Sequence, residues 1–258
     1  MRIRLVLPLL LVLPAFSAAH AEDFEIKDRD VAALVTALQK SNETPGPHRI
    51  RLAAGGIYTL QSTVSAGLGL PALRGEIEIE GNGAEIRRYA APRMALIEVA
   101  AEARVIIRNL TLAEGSKGAL HNHGVLLLDR VAIVDSFHSD ADAIVTNFGH
   151  LTLHDSLLGW NQVSVGDGDT GLIENHGRLS LQRSRIIGNS ASRAQEQGGD
   201  AAAILNAGEL IASAIEYQAN AIIDPLGGMA FRAVLNLGRG SAHGVPSQQV
   251  IADGLDLP

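Results

Sequence analysis

The residues with chemical potential in this chain fall at matching places in a recurring pattern. Leu126, Leu151, Leu179 and Leu210 each stand four residues after an Asn that opens an Asn-x-Gly triplet. Four places beyond these leucines come Arg130, Asp155, Arg183 and Ala214; one place earlier stand Asp129, His154, Gln182 and Ser213. A His beside a carboxylate is the commonest proton-transfer pair, because imidazole changes charge near neutral pH. Arg130, His154, Asp155 and Arg183 are therefore the candidate catalytic residues. Arg alternating with Asp reads more simply as a row of exposed ion pairs between neighbouring strands, each worth little, because Arg sits high in pKa and needs special surroundings to act as a base. A second set is acidic. Asp140, Asp142, Asp167, Asp169 and Asp200 all lie in the variable segments that precede an Asn-x-Gly. Asp167, Asp169 and Asp200 are the candidate ligands for calcium, a hard cation that takes carboxylate oxygens. Asp169 and Asp200 each precede their Asn by six residues and so fall in register. Asp167-Gly168-Asp169-Thr170-Gly171 has the look of a calcium loop but lacks the third ligand and distal Glu of the twelve-residue motif. Solvated Asp in a turn explains the same letters. No other cofactor is expected, since the chain has no Cys and no zinc or iron spacing.

What must position these groups is a repeat. The triplets at Asn122, Asn147, Asn175 and Asn206 begin 25, 28 and 31 residues apart, and Asn236-Leu237-Gly238 begins a further copy after 30 more. Ten residues beyond each aligned Leu come Ser136, Asn161, Asn189 and Asn220. Periods of 20–50 residues indicate solenoids, propellers or arrays. Within a copy the apolar residues alternate (Leu179, Leu181, Ile186; Leu151, Leu153, Leu158), which means strands with one buried face. Several short strands per repeat, with Asn and Gly at the bends, predict a parallel β-helix with coils stacked at about 4.8 Å. On that spacing His123 and His176, in the middle of their triplets with Phe148 between, stand about 10 Å apart, too far to share a metal. Composition agrees: 47% of residues are hydrophobic but only 3% aromatic, as a narrow aliphatic core requires.

The rest of the chain frames the repeat. Residues 1–21 read as a secretory leader, with Arg2 and Arg4 before the apolar run Leu5 to Leu13 and Ala19-His20-Ala21 as cleavage site. The run is short and broken by Pro8 and Pro14, so no membrane span is expected in the mature chain. Losing Arg2 and Arg4 leaves 19 basic against 28 acidic residues, a net charge of about −9, which argues against nucleic acid as a partner. Export places the protein in a periplasm or outside the cell. Residues 22–47 form an N-terminal cap whose helix spans 28–39, with Val31, Leu34, Val35 and Leu38 on one face, Asp28 or Asp30 as its cap, and Asn42 to Pro47 as its stop. Such a lid covers the apolar end of a solenoid. The β-helix proper spans 48–240, and 241–258 form a tail.

Three stretches carry a family likeness: Ile50-Arg51-Leu52 to Gly56-Ile57-Tyr58-Thr59-Leu60, Ile77-Glu78-Ile79-Glu80-Gly81-Asn82-Gly83-Ala84-Glu85-Ile86, and the Asn-x-Gly coils. Together they resemble bacterial right-handed parallel β-helix proteins of the pectin-lyase-like superfamily. The later coils, with Tyr217-Gln218-Ala219-Asn220 and Gly198-Gly199-Asp200-Ala201, are similar to the repeats of polymorphic outer membrane proteins and related adhesins. The resemblance implies an all-β, right-handed parallel β-helix. It also implies two roles that this scaffold hosts: adhesion, or polysaccharide lysis with an Arg base or with calcium held by carboxylates. The Asn-Thr-Asp, Asp-Asp and Gly-His-Gly set of polygalacturonases is missing, as is the Tyr-Gly-x-Asp-Pro-His of mannuronan epimerases. Trp160 is the single Trp, placed at a coil bend, where it is an exposed contact or a corner plug. The expectation is an exported, non-enzymatic module for adhesion, envelope interaction or structure, with a polysaccharide or cell-surface partner and scope for self-association through solenoid edges. The alternative is a small polysaccharide lyase acting on an acidic glycan.

Overall fold

The computed structural model describes residues 21–65, 67–89, 92–138, 143–165, 168–192, 200–223, 231–236, 241–243 and 250–252. Of the leader assigned to residues 1–21, all but Ala21 lies outside them. Short strands pair in parallel with their counterparts one repeat away, and the chain winds through about seven turns of a parallel β-solenoid.

Each of the regular coils has four faces. The first carries Val125–Asp129, His150–His154, Arg178–Gln182 and Glu209–Ser213. The second carries Ala132–Val134, Leu157–Gly159, Arg185–Ile187 and Glu216–Gln218. Phe137–His138, Gln162–Ser164, Ser190–Ser192 and Ala221–Ile223 form the third, and Leu120–Asn122, Val145–Asn147, Thr170–Asn175, Ala201–Asn206 and Phe231–Asn236 the fourth. The register is the one the sequence spacing predicts: Leu126, Leu151, Leu179 and Leu210 are successive Cα partners, as are Asn147, Asn175, Asn206 and Asn236. Pairing continues beyond residue 240, through Ser241–His243 beside Glu209–Ser213 and Val250–Ala252 beside Phe231–Asn236.

Inward side chains form aliphatic columns, and each fully buried Leu or Ile contributes about 2 kcal/mol. Two buried polar columns lock the coils. Asn122 Nδ2 donates to Asn147 Oδ1, Asn147 to Asn175 and Asn175 to Asn206, each at 2.7 Å. Asn161 Nδ2 donates to Asn189 Oδ1 at 3.0 Å and Asn189 Nδ2 to Asn220 Oδ1 at 2.9 Å; Asn161 Oδ1 accepts from the Ser136 amide at 3.0 Å. A third column escaped the sequence reading. Ser156 Oγ accepts from Val131 N at 3.1 Å, and Ser184 Oγ from Ser156 N at 3.2 Å. Its signal was present, a Ser five places after Leu151 and Leu179, but only in two copies.

The N-terminal end differs from expectation in detail. A strand at Asp23–Ile26 pairs with His48–Leu52, so the sheet starts before the helix. The helix spans Val31–Glu43; Asp30 caps it, accepting from Ala33 N at 2.9 Å. Asp28 instead accepts from Ile57 N at 2.8 Å. The helix ends inside the 42–47 stretch, at Glu43, with Asn42 in its last turn. Asn42 clasps the following loop, donating to Ala72 O and accepting from Arg74 N, both at 2.8 Å. Leu34 and Leu38 are fully buried in the same cluster as Ile50, Leu52 and Tyr58, so the helix closes the first coil as a lid. Among the described residues it is the one helix.

Candidate functional site

The polar patch sits where the first face turns into the second. On the first face alternate residues point outward, and Arg108, Asp129, His154 and Gln182 are successive Cα partners on its outer side. The residues that follow, Asn109, Arg130, Asp155 and Arg183, turn a corner: Asn109 bends within the long strand Arg104–Ala113, and the other three fall between strands. Their φ values are 51°, 55°, 48° and 46°, in the left-handed region that costs a side-chain-bearing residue about 1 kcal/mol or more. Cross-coil bonds hold them there: Arg130 N donates to His154 O at 2.9 Å, Asp155 N to Gln182 O at 3.0 Å and Arg183 N to Ser213 O at 3.0 Å.

This corner brings the predicted residues together. His154 Nδ1 lies 2.9 Å from Asp129 Oδ1 and 3.3 Å from Asp155 Oδ2. Arg183 grips both oxygens of Asp155, Nε to Oδ1 at 2.8 Å and Nη2 to Oδ2 at 2.9 Å, and its Nη2 also meets His154 Nε2. A guanidinium only donates, so in that contact Nε2 is placed as the acceptor, while Nδ1 faces Asp129. Arg130 turns away from Asp155. Its Nε donates to Asn109 Oδ1 at 2.7 Å and its Nη2 pairs with Asp129 at 3.1 Å. Arg108 pairs with Glu78 and stands 3.8 Å from Asp129.

The electrostatics follow. The bidentate hydrogen bond from Arg183 holds the Asp155 carboxyl below its usual range, and the same bond from Asp155 holds the guanidinium above its own. Asp155 is thereby a poor acid and Arg183 a poorer base than either would be alone. Asp129, His154 and Asp155 do offer three ligand atoms within 4.8 Å of one another. Yet Arg108, Arg130 and Arg183 already neutralise the two carboxylates, so this donor set suits ion pairing better than a cation.

The other predicted residues fall elsewhere. Asp140, Asp142 and Asp167 lie outside the described residues. Asp169 and Asp200 are level on adjacent coils, and Asp169 Oδ1 accepts from Asp200 N at 2.7 Å. One calcium candidate is thus engaged as a brace between coils. His123, Phe148 and His176 form a continuous ring stack, with centroids 5.2 and 4.8 Å apart and planes within 7°; Glu174 accepts at 2.8 Å from His176 Nε2.

Sequence reasoning missed the surface beside the patch. Across the first face runs an open groove of 740 Å³ with Ile106, Leu127, Thr152 and Ser180 along its middle and Arg104, His150 and Arg178 on one flank. Val125 is 40% exposed and Ile211 36%. The signal was the unbroken run Val125-Leu126-Leu127-Leu128. On a strand that buries alternate residues, such a run must turn two apolar side chains outward. Set against protein-family models, curated proteins and solved structures, the chain gives no significant match.

Proposed function

We propose that this chain is a non-enzymatic, exported β-helix module of the pectin-lyase-like kind, whose first face docks a polysaccharide or cell-surface partner. One observation carries the reading: the titratable groups of the corner are spent on one another. Both nitrogens of His154 are engaged, Arg183 is held protonated by Asp155, and Asp155 is held ionised by Arg183. A general base needs a free lone pair and a pKa near the working pH. Beside this closed network the groove presents apolar side chains between charged flanks, the composition of a recognition surface. Incubating the mature protein with a panel of polyuronates, with calcium or with chelator, should give a flat ultraviolet trace. Binding to one of those polymers or to cells should persist without turnover. Growth of unsaturated product would end the proposal.

A second reading, a small polysaccharide lyase, is favoured by the Asp129–His154 pair at 2.9 Å with Arg183 against it. That reading requires His154→Ala and Arg183→Ala to abolish turnover of an acidic glycan. Calcium at Asp167, Asp169 and Asp200 belongs with it, and calorimetric titration of calcium into the protein and into Asp169→Ala tests that site directly.

A further inference from the structure

Trp160 occupies the opposite corner, between the second and third faces, in a column with Asp135, Gly188 and Ala219 that is left-handed throughout (φ 52°, 55°, 68° and 55° in chain order). The glycine is required by the indole. A Cβ on Gly188 would lie 2.8 Å from Trp160 Nε1 and 2.9 Å from Cδ1, so the ring lies across the next coil in space any other side chain would fill. The ring is 57% exposed, as expected of a flat side chain with one face seated and the other open. Its N–H meets no acceptor among the described residues. On the third face the outward neighbours Phe137 and Gln162 are Cα partners; Gln162 Nε2 reaches Ser192 Oγ at 3.3 Å, and Asp135 stands exposed one coil before the indole.

We propose that Trp160 is a platform for one pyranose ring of a neutral, β-linked glycan. A flat ring held rigidly with its outer face open suits a sugar whose own face shows only axial C–H bonds, the gluco configuration. Asp135, one coil before in the same column, and Gln162, two residues on, are the exposed polar residues nearest in register and in sequence that offer partners for equatorial hydroxyls. A docked protein or a lipid surface would call for a wider apolar patch than a single ring. The site is separate from the groove, across the short second face from Asp155, and stands whether or not the first face binds anything.

Because the chain has one Trp, tryptophan emission excited beyond the tyrosine band reports on this site alone. Titration of the intact protein with cellotetraose and with chitotetraose should give a saturable emission shift with at least one of them, and none with an α-linked mannotetraose. By calorimetry, Trp160→Ala should lower the affinity about tenfold or more with an unchanged thermal midpoint. Gly188→Ala, which keeps the indole but unseats it, should also weaken binding. A flat response to both β-linked sugars up to about 10 mM, equal affinity in Trp160→Ala, or a shift produced instead by phosphatidylglycerol vesicles would each overturn the proposal.

Discussion

Replacing Asn147 by Ala tests whether the buried amide column, rather than the aliphatic core alone, binds the coils to one another. Asn147 is fully buried. Its Oδ1 accepts from Asn122 Nδ2 at 2.7 Å, and its Nδ2 donates to Asn175 Oδ1 at 2.7 Å, Arg178 O at 3.1 Å and Gly149 O at 3.2 Å. The Gly149 carbonyl is only partly dependent on it, since it also receives Arg178 N at 2.8 Å. The side-chain partners fare worse, because Asn175 Oδ1 loses its 2.7 Å donor where water has little access. At about 1 kcal/mol net per bond and more for a stranded buried acceptor, the loss comes to ~3–5 kcal/mol, a large part of the ~5–15 kcal/mol that holds a domain together. Asn220, half-buried at the end of its own column, accepts from Asn189 N and Nδ2 at 3.0 and 2.9 Å, and water can replace much of what its removal takes away. Urea unfolding followed by circular dichroism should therefore show Asn147→Ala losing at least twice as much as Asn220→Ala. Equal losses, or a loss below about 1 kcal/mol for Asn147→Ala, would mean that the column is a passenger of the core.

Three further outcomes follow. Gly177→Ala should destabilise more than Asn147→Ala in the same assay, because its Cβ would lie 2.1 Å from the backbone oxygen of Gly149 and backbone cannot step aside; a folded variant of parental stability would contradict the stacking. Arg183→Ala should cost little at neutral pH, since the pair it breaks is exposed. The stabilisation rests on an Asp155 pKa that is depressed in the fold, so it is complete above the ordinary carboxylate pKa and lost as pH falls through the lowered one. The urea midpoints of parent and variant should therefore converge in acid, and a constant offset would refute the assignment. At the other extreme, burial pushes the Tyr217 phenol up to about 12. The folded state then favours the neutral phenol, with full benefit below the ordinary Tyr pKa of about 10 and loss as pH rises through about 12. Tyr217→Phe should extend the stable range in alkali, and an unchanged alkaline transition would count against it.

Much of the fold was legible because a parallel solenoid makes neighbours of equivalent positions. Once Leu126, Leu151, Leu179 and Leu210 are aligned, every residue at the same offset is one strand spacing from its counterpart, and the Asn columns and the meeting of Asp129 with His154 can be read along the chain. The N-terminal strand at Asp23–Ile26 was not legible, since its partner, His48–Leu52, lies across the helix and no repeat marks it. Nor was the Ser156–Ser184 column, where two copies are too few to stand out. The groove was readable only in hindsight, from Leu127 and Val125 being forced outward by their inward neighbours.

Sequence alone thus determined the architecture, its register and which charged residues share a corner, because the spacing of strands fixes what lies beside what. Tertiary structure alone decided how those charges are spent. Little in the letters marks Arg130 and Arg183 as left-handed corner residues, since Arg is not among the Gly, Asn and Asp that favour such a turn, and Asp155 alone of the three is of a favoured type. A long guanidinium at 4.8 Å coil spacing has partners above and below within reach. Arg183 reaches back to Asp155 and His154, while Arg130 turns to Asn109 and Asp129. Which of these geometries is realised depends on side-chain direction at the corner, and that choice separates a closed ion-pair network from a poised acid–base pair.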